Sequence, residues 1–272
     1  MLTASCATDT TPCHEIVVVE GWIDADRYPI VHLTRTMSVS DEQQDIHNLK
    51  DYLEQWAKVS ISDGENEVIL NGIFSDDYFP PYVYTTTQFK GKVGKKYTLT
   101  VECIDGSKYH SVTEIMPKAE LDSFRIMKVA GSDLLREIIG YINIDKSAKE
   151  YYKVFVHVNG GASGYESAYM GIASSDILAS SGRMPIYNGS SNLRKNFTPY
   201  FKLGDTVSVK LARVDESAYR FWREFSDLIN LSRNPLFPVT NNLYSNIEGD
   251  ALGYWFGYGS SFYVIPITDN PD

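Results

Sequence analysis

Tyr97-Thr-Leu-Thr-Val-Glu-Cys103 alternates apolar and polar residues without a break. Asp105-Gly106 follows, and Lys108-Tyr-His-Ser-Val-Thr-Glu-Ile115 pairs back. A period-two strand, a two-residue turn signal and a returning strand specify an antiparallel β-hairpin. Working outward, Lys58 to Asp63 has the same period and Asp63-Gly64 turns the chain before a strand at Glu67 to Asn71. Towards the N-terminus, Ile30-Val-His-Leu-Thr-Arg-Thr36 alternates as well. Before it, Glu15-Ile-Val-Val-Val-Glu-Gly-Trp22 is dense in β-branched residues, with a turn at Asp24 to Pro29 between them.

Residues 41–57 change period. Ile46, Leu49, Leu53 and Trp56 recur at helical spacing, and Ser40 with Gln43 forms a capping box. This predicts a helix inserted between strands, its apolar stripe packed on the sheet. Met116-Pro-Lys-Ala119 breaks the pattern and marks a domain boundary. Beyond it, short strands are expected at Leu121 to Lys128, Glu137 to Ile144, Tyr151 to Val158, Tyr165 to Ile172, Asp205 to Arg213 and Phe262 to Ile267. Asn159 to Gly164 and Ala179 to Asn196, rich in Gly, Ser and Asn, read as loops. One amphipathic helix is expected at residues 215–231: Ala218, Phe221, Trp222, Phe225, Leu228 and Ile229 share a face, and Asp215 is placed to cap it. Asn234-Pro235 ends it.

The expected organisation is a tether at residues 1–13, a β-domain at 14–117 carrying the inserted helix, and a second β-rich domain at 118–272. The fold class is mainly β, since strands recur every ten residues or so and the alternation of a nucleotide-binding α/β fold is absent.

Net charge is −10, which argues against a nucleic-acid partner and against docking on anionic lipid through a basic face. Met1-Leu-Thr-Ala-Ser-Cys6 runs small residues into a cysteine, the form of a bacterial lipobox, although the basic and apolar regions of a full secretory signal are missing and Thr3 stands where Leu is usual. Cys6 is the expected lipidation site, giving a membrane link by lipid anchor only. The spacing of Cys6, Cys13 and Cys103 fits neither a zinc site nor a redox pair; Cys13 and Cys103 flank the first domain, as partners in a disulfide or as two separate thiols.

Motifs that carry chemistry are missing. His14-Glu15 opens like a zinc-protease motif, but Val18 stands where the second His is required. The other histidines, His32, His47, His110 and His157, are far apart in sequence, so no metal site and no cofactor are expected. Asn159-Gly160-Gly161 lacks the Lys and the helix of a phosphate loop, and Asp76-Asp77 lacks the spacing of a calcium loop. The chain is not expected to be an enzyme. The candidate binding patch is Tyr254, Trp255, Phe256 and Tyr258, interleaved with Gly257. Exposed, these aromatics suit a sugar ring or a protein partner; packed inside, they mark a core strand bent at glycine.

Four stretches resemble a known family. They are Val17-Val-Val-Glu-Gly-Trp-Ile23, Ala57-Lys-Val-Ser-Ile-Ser-Asp-Gly64, Met116-Pro-Lys-Ala-Glu-Leu-Asp-Ser123 and Asn246-Ile-Glu-Gly-Asp-Ala-Leu-Gly-Tyr254. In this order and spacing the chain resembles an uncharacterised family of Bacteroidota lipoproteins, domain of unknown function 4249, over nearly its whole length. The resemblance implies export to the outer membrane with Cys6 lipidated. It implies an immunoglobulin- or transthyretin-like sandwich at the N-terminal end. It also implies an accessory role beside a TonB-dependent outer-membrane receptor in nutrient uptake. A glycan or peptide is the expected ligand. It carries no catalytic residue. A structural or adhesive surface protein is the alternative, and a carbohydrate-active enzyme the third reading.

Overall fold

The computed structural model describes residues 15–36, 52–145, 147–160, 164–189, 197–232 and 243–269. The chain is mainly β. The largest sheet is built from β1 (Val17–Asp24), β2 (Ile30–Arg35), β5 (Asn71–Phe74), β6 (Tyr82–Thr85), β11 (Tyr151–Val158), β12 (Glu166–Ser174), β15 (Thr206–Val214) and β16 (Ala251–Pro266). Its order is β12-β11-β15-β16-β1-β2-β6-β5. A second sheet, β4-β3-β7-β8, holds the hairpin: β3 is Lys58–Ser62, β4 Glu67–Ile69, β7 Lys96–Glu102 and β8 Lys108–Glu114. The hairpin pairs from Lys96↔Glu114 to Glu102↔Lys108. At its turn Gly106 takes a φ of 86°, which glycine adopts without strain. A third sheet groups β9 (Ser123–Lys128), β10 (Leu135–Tyr141), β13 (Arg183–Ile186) and β14 (Phe201–Lys202) around β10. The helices are α1 (Ser175–Leu178) and α2 (Glu216–Ser232).

β16 organises the molecule. Ala251 to Tyr258 run parallel to β1, from Val17↔Ala251 to Asp24↔Tyr258, and Gly259 to Pro266 run antiparallel to β15. One strand thus joins the N-terminal strands to those formed after residue 150. Side chains alternate across it. Trp255, on one face, packs with Val17, Val19 and Ile23 against the second sheet, while Ile265, on the same face, packs with Val207, Val209 and Leu211 against the third. The two small sheets therefore cover one face of the large one, and Met116–Ala119 links them by passing over β16. At that crossing a Cβ on Gly257 would lie 2.5 Å from the Glu114 carbonyl oxygen, and one on Gly259 would lie 2.2 Å from that of Met116. Only hydrogen fits, which accounts for the glycines between the aromatics.

The opposite face is partly covered by α2, whose Ala218, Phe221 and Trp222 pack on Tyr151, Phe155, Ala212, Val214, Tyr254 and Phe256. Asp215 caps this helix, its Oδ1 accepting the Ala218 N–H at 2.7 Å.

Several expectations are corrected. Most of the helix expected at 41–57, with Ile46 and Leu49, lies outside the described residues. Its last residues are not α-helical: Leu53 bridges Thr34, the Glu54 N–H donates to the Leu33 carbonyl, and Trp56 is 77% exposed. Pairing with the end of β2, reinforced by the Arg35–Glu54 ion pair at 2.5 Å, wins over the helical pattern there. The loop expected at 179–196 contains β13, which the partner strand β10 recruits through Ile138↔Ile186. The last strand begins at Ala251 rather than Phe262, because its glycines mark close backbone approach instead of a loop.

Candidate ligand-binding cleft

Beside α2, Glu20, Trp22 and Asp24 of β1, Ile30 and His32 of β2, and Tyr254, Tyr258 and Ser260 of β16 face the same side of the sheet. They floor an open cleft of about 1710 Å³. The loop between β5 and β6 supplies Tyr78 and Phe79; Tyr165 and Glu166 come from the start of β12, and Phe262 and Tyr263 from β16. The β5–β6 loop reaches the opposite edge of the sheet, since a Cβ on Gly164 would sit 3.2 Å from the Asp77 carbonyl oxygen. The large sheet thus curls around the cleft.

Strand register decides which floor residues meet. Glu20 stands opposite His32 on β2 and opposite Tyr254 on β16; Trp22 stands opposite Ile30 and Phe256; Asp24 stands opposite Tyr258. Asp24 is buried, and its carboxylate accepts from Lys210 Nζ at 2.8 Å and Ser260 Oγ at 2.5 Å. The Lys210 ammonium also lies 4.4 Å from the Tyr258 ring centroid. Burial lowers the Lys210 pKa, and the Asp24 charge opposes that shift. Burial holds the Tyr254 and Tyr258 hydroxyls well above the ordinary phenol range, and Tyr258 accepts the Trp222 indole N–H at 3.0 Å. Beside this floor the buried Lys153 donates to Ser167 Oγ at 2.5 Å, its pKa lowered by burial to about 7.

Glu20 and His32 are different. Burial raises the Glu20 pKa, and among the described residues no hydrogen bond or ion pair meets its carboxyl. His32 is 5% exposed, and burial lowers its pKa to about 4, a backbone hydrogen bond at Tyr82 opposing this. Its Nδ1 is buried and has no partner. The His32 ring lies 5.8 Å from both Trp22 and Tyr78. At the rim, Arg27 stacks 3.8 Å over Phe262, Lys118 pairs with Asp26 at 2.7 Å, and Phe79 is 72% exposed.

All four residues of the expected aromatic patch are buried. Trp255 faces the second sheet and donates its indole N–H to the Tyr97 carbonyl at 3.0 Å. Phe256 lies under α2, and Tyr254 and Tyr258 belong to the cleft floor. The segment therefore forms core and floor, and the exposed aromatics of the cleft come from elsewhere. Cys6 and Cys13 lie outside the described residues; Cys103 is buried. Among the described residues no three of His, Cys, Asp and Glu converge as metal ligands, and no helix is long and apolar enough to cross a membrane.

Sequence reasoning missed Glu20, Asp24, His32 and Lys210. The available signal was a polar residue at an inward position of a β-branched strand, as in Val17-Val-Val-Glu20. A family model described as domain of unknown function (DUF4249) matches residues 5–261. The chain belongs to the DUF4249 family. The match takes in β1 to β15 and most of β16, so the floor of this DUF4249 cleft lies within it. No curated protein matches the chain.

Proposed function

We propose that this DUF4249 protein is a non-catalytic binding lipoprotein of the Bacteroidota cell envelope. A lipid on Cys6 would tether it to the outer membrane, where it would serve a TonB-dependent receptor in nutrient uptake. The stack of β1 and β2 on the second sheet is read as an immunoglobulin- or transthyretin-like sandwich, and the cleft as the seat of the ligand.

The state of the cleft floor carries this reading. Asp24 is committed to Lys210 and Ser260, Tyr258 to Trp222, and Lys153 to Ser167. Glycoside hydrolysis needs two carboxyl groups free to exchange protons across a bond. The floor pairs Asp24 internally, leaves Glu20 unpaired and is walled by aromatic rings, an arrangement that suits recognition instead. The test is affinity purification of the tagged protein from native membranes, beside a Tyr78→Ala variant. Recovery of a TonB-dependent receptor with the wild type, weakened in the variant, supports the reading. Recovery of the lipidated protein with no receptor contradicts the accessory role.

A structural or adhesive role is the second reading, favoured by β5. This edge strand is exposed along its length, including Ile73 and Phe74, and an edge of this kind accepts an added strand.

A further inference from the structure

From the unpartnered Glu20 carboxyl and His32 Nδ1, neighbours in the strand register with the Trp22 and Tyr78 rings against His32, we infer that the cleft binds a primary alkylammonium group on an aliphatic stem. The inference rests on the cleft being a ligand seat and names the chemistry of what sits there.

Glu20 and His32 are direct neighbours in the β1–β2 register. No basic side chain of the cleft pairs with Glu20: Lys210 is taken by Asp24, Lys118 by Asp26, and Arg27 and Lys90 lie over the Phe262 and Tyr28 rings. Glu20 is half-buried on the cleft side, desolvation there raises its pKa, and an arriving cation offsets that penalty. Held neutral, with the Tyr82 backbone as the partner of its other nitrogen, the His32 ring presents Nδ1 as a bare acceptor. The two acceptors therefore suit a group that carries both positive charge and N–H donors. Trp22 and Tyr78 supply π-faces, and Tyr254 stands across β1 on the far side of Glu20. Aromatic faces favour a cation over a neutral hydroxyl. Such a group rules out a neutral sugar as the deepest-seated part of the ligand. A free diamine and a lysine side chain of a peptide present the same group, and a net charge of −10 draws either towards the protein.

The test is calorimetric titration of the whole protein with cadaverine, the tripeptide Gly-Lys-Gly, its Nε-acetylated form, tetramethylammonium and maltohexaose. Cadaverine or Gly-Lys-Gly is expected to bind, and whichever binds more tightly identifies the source. The acetylated peptide is expected to bind at least tenfold more weakly, and so is tetramethylammonium, which has no N–H. Glu20→Gln is expected to lower the affinity at least tenfold without lowering the melting temperature, since it removes an unpaired carboxyl. His32→Phe is expected to remove the preference for the primary amine over tetramethylammonium. Failure of both amines to bind overturns the inference, as does undiminished binding by Glu20→Gln. Maltohexaose binding without amine binding also overturns it but leaves the cleft a ligand seat; receptor recovery in the purification above tests that broader reading separately.

Discussion

Replacing Asp24 with Asn should destabilise the protein through Lys210 rather than through lost shape. The substitution keeps volume and one acceptor for Ser260, but removes the charge facing an ammonium 2.8 Å away, with both side chains under a tenth exposed. Removing one partner of a buried ion pair costs about 3–5 kcal/mol, because the other charge is left uncompensated. For a chain of this size that is a fall on the order of 10 °C in melting temperature. The pH dependence identifies the cause. Burial already lowers the Lys210 pKa, and without Asp24 it falls further. A base whose folded pKa lies below its unfolded value loses stability as pH drops through that interval. The deficit of Asp24→Asn should therefore be largest near neutral pH and shrink towards pH 10. The assay is urea unfolding of both proteins across that range, with Asp24→Asn/Lys210→Met recovering much of the loss. A deficit under about 1 kcal/mol would refute the reasoning, and so would one that does not change with pH.

Other substitutions test the remaining parts. Gly257→Ala should cost roughly 1–3 kcal/mol in denaturant unfolding, since its Cβ meets the Glu114 carbonyl oxygen at 2.5 Å; a neutral result would mean that the backbone at Glu114 and Ile115 does not press on β16. Lys153→Met should flatten the stability profile between pH 10.5 and 7, where the wild type loses up to about 5 kcal/mol as the buried amine is forced to charge. Parallel melting curves for the two proteins across that range would count against a strained Lys153. Asp215→Ala should cost about 1 kcal/mol by removing the cap on α2, read as lost helical signal in thermal melts.

What could be read from the sequence was local. The hairpin at 97–115 follows from the period-two strand before its Asp105-Gly106 turn, and α2 from its apolar stripe and Asp215. The inserted helix failed at residues 52–57 because tertiary pairing of Leu53 and Glu54 with β2 outweighs local propensity there. The long-range order was hidden. No periodicity announces that Val17 pairs in parallel with Ala251, more than two hundred residues later. Gly257 could be read as the bend of a core strand but not as a site of close backbone approach, because a glycine that bends a strand and one that lets a crossing backbone approach are the same letter. The cleft was hidden for the same reason: Glu20, His32, Lys210 and Tyr254 come from four strands and meet only through the sheet order. The aromatic segment at 254–258 left a binding patch and a packed strand both open; all four rings are buried, and Tyr254 and Tyr258 also line the cleft.

The central claim, that the cleft is where this protein meets its ligand or partner, is tested most directly by site-specific photo-crosslinking in native cells. A photoreactive residue at Phe79, on the cleft rim and 72% exposed, is compared with one at Ile177, 66% exposed and outside the cleft. A discrete adduct from position 79 with none from 177 is the expected result. Equal labelling at both positions, or none at 79, would contradict it.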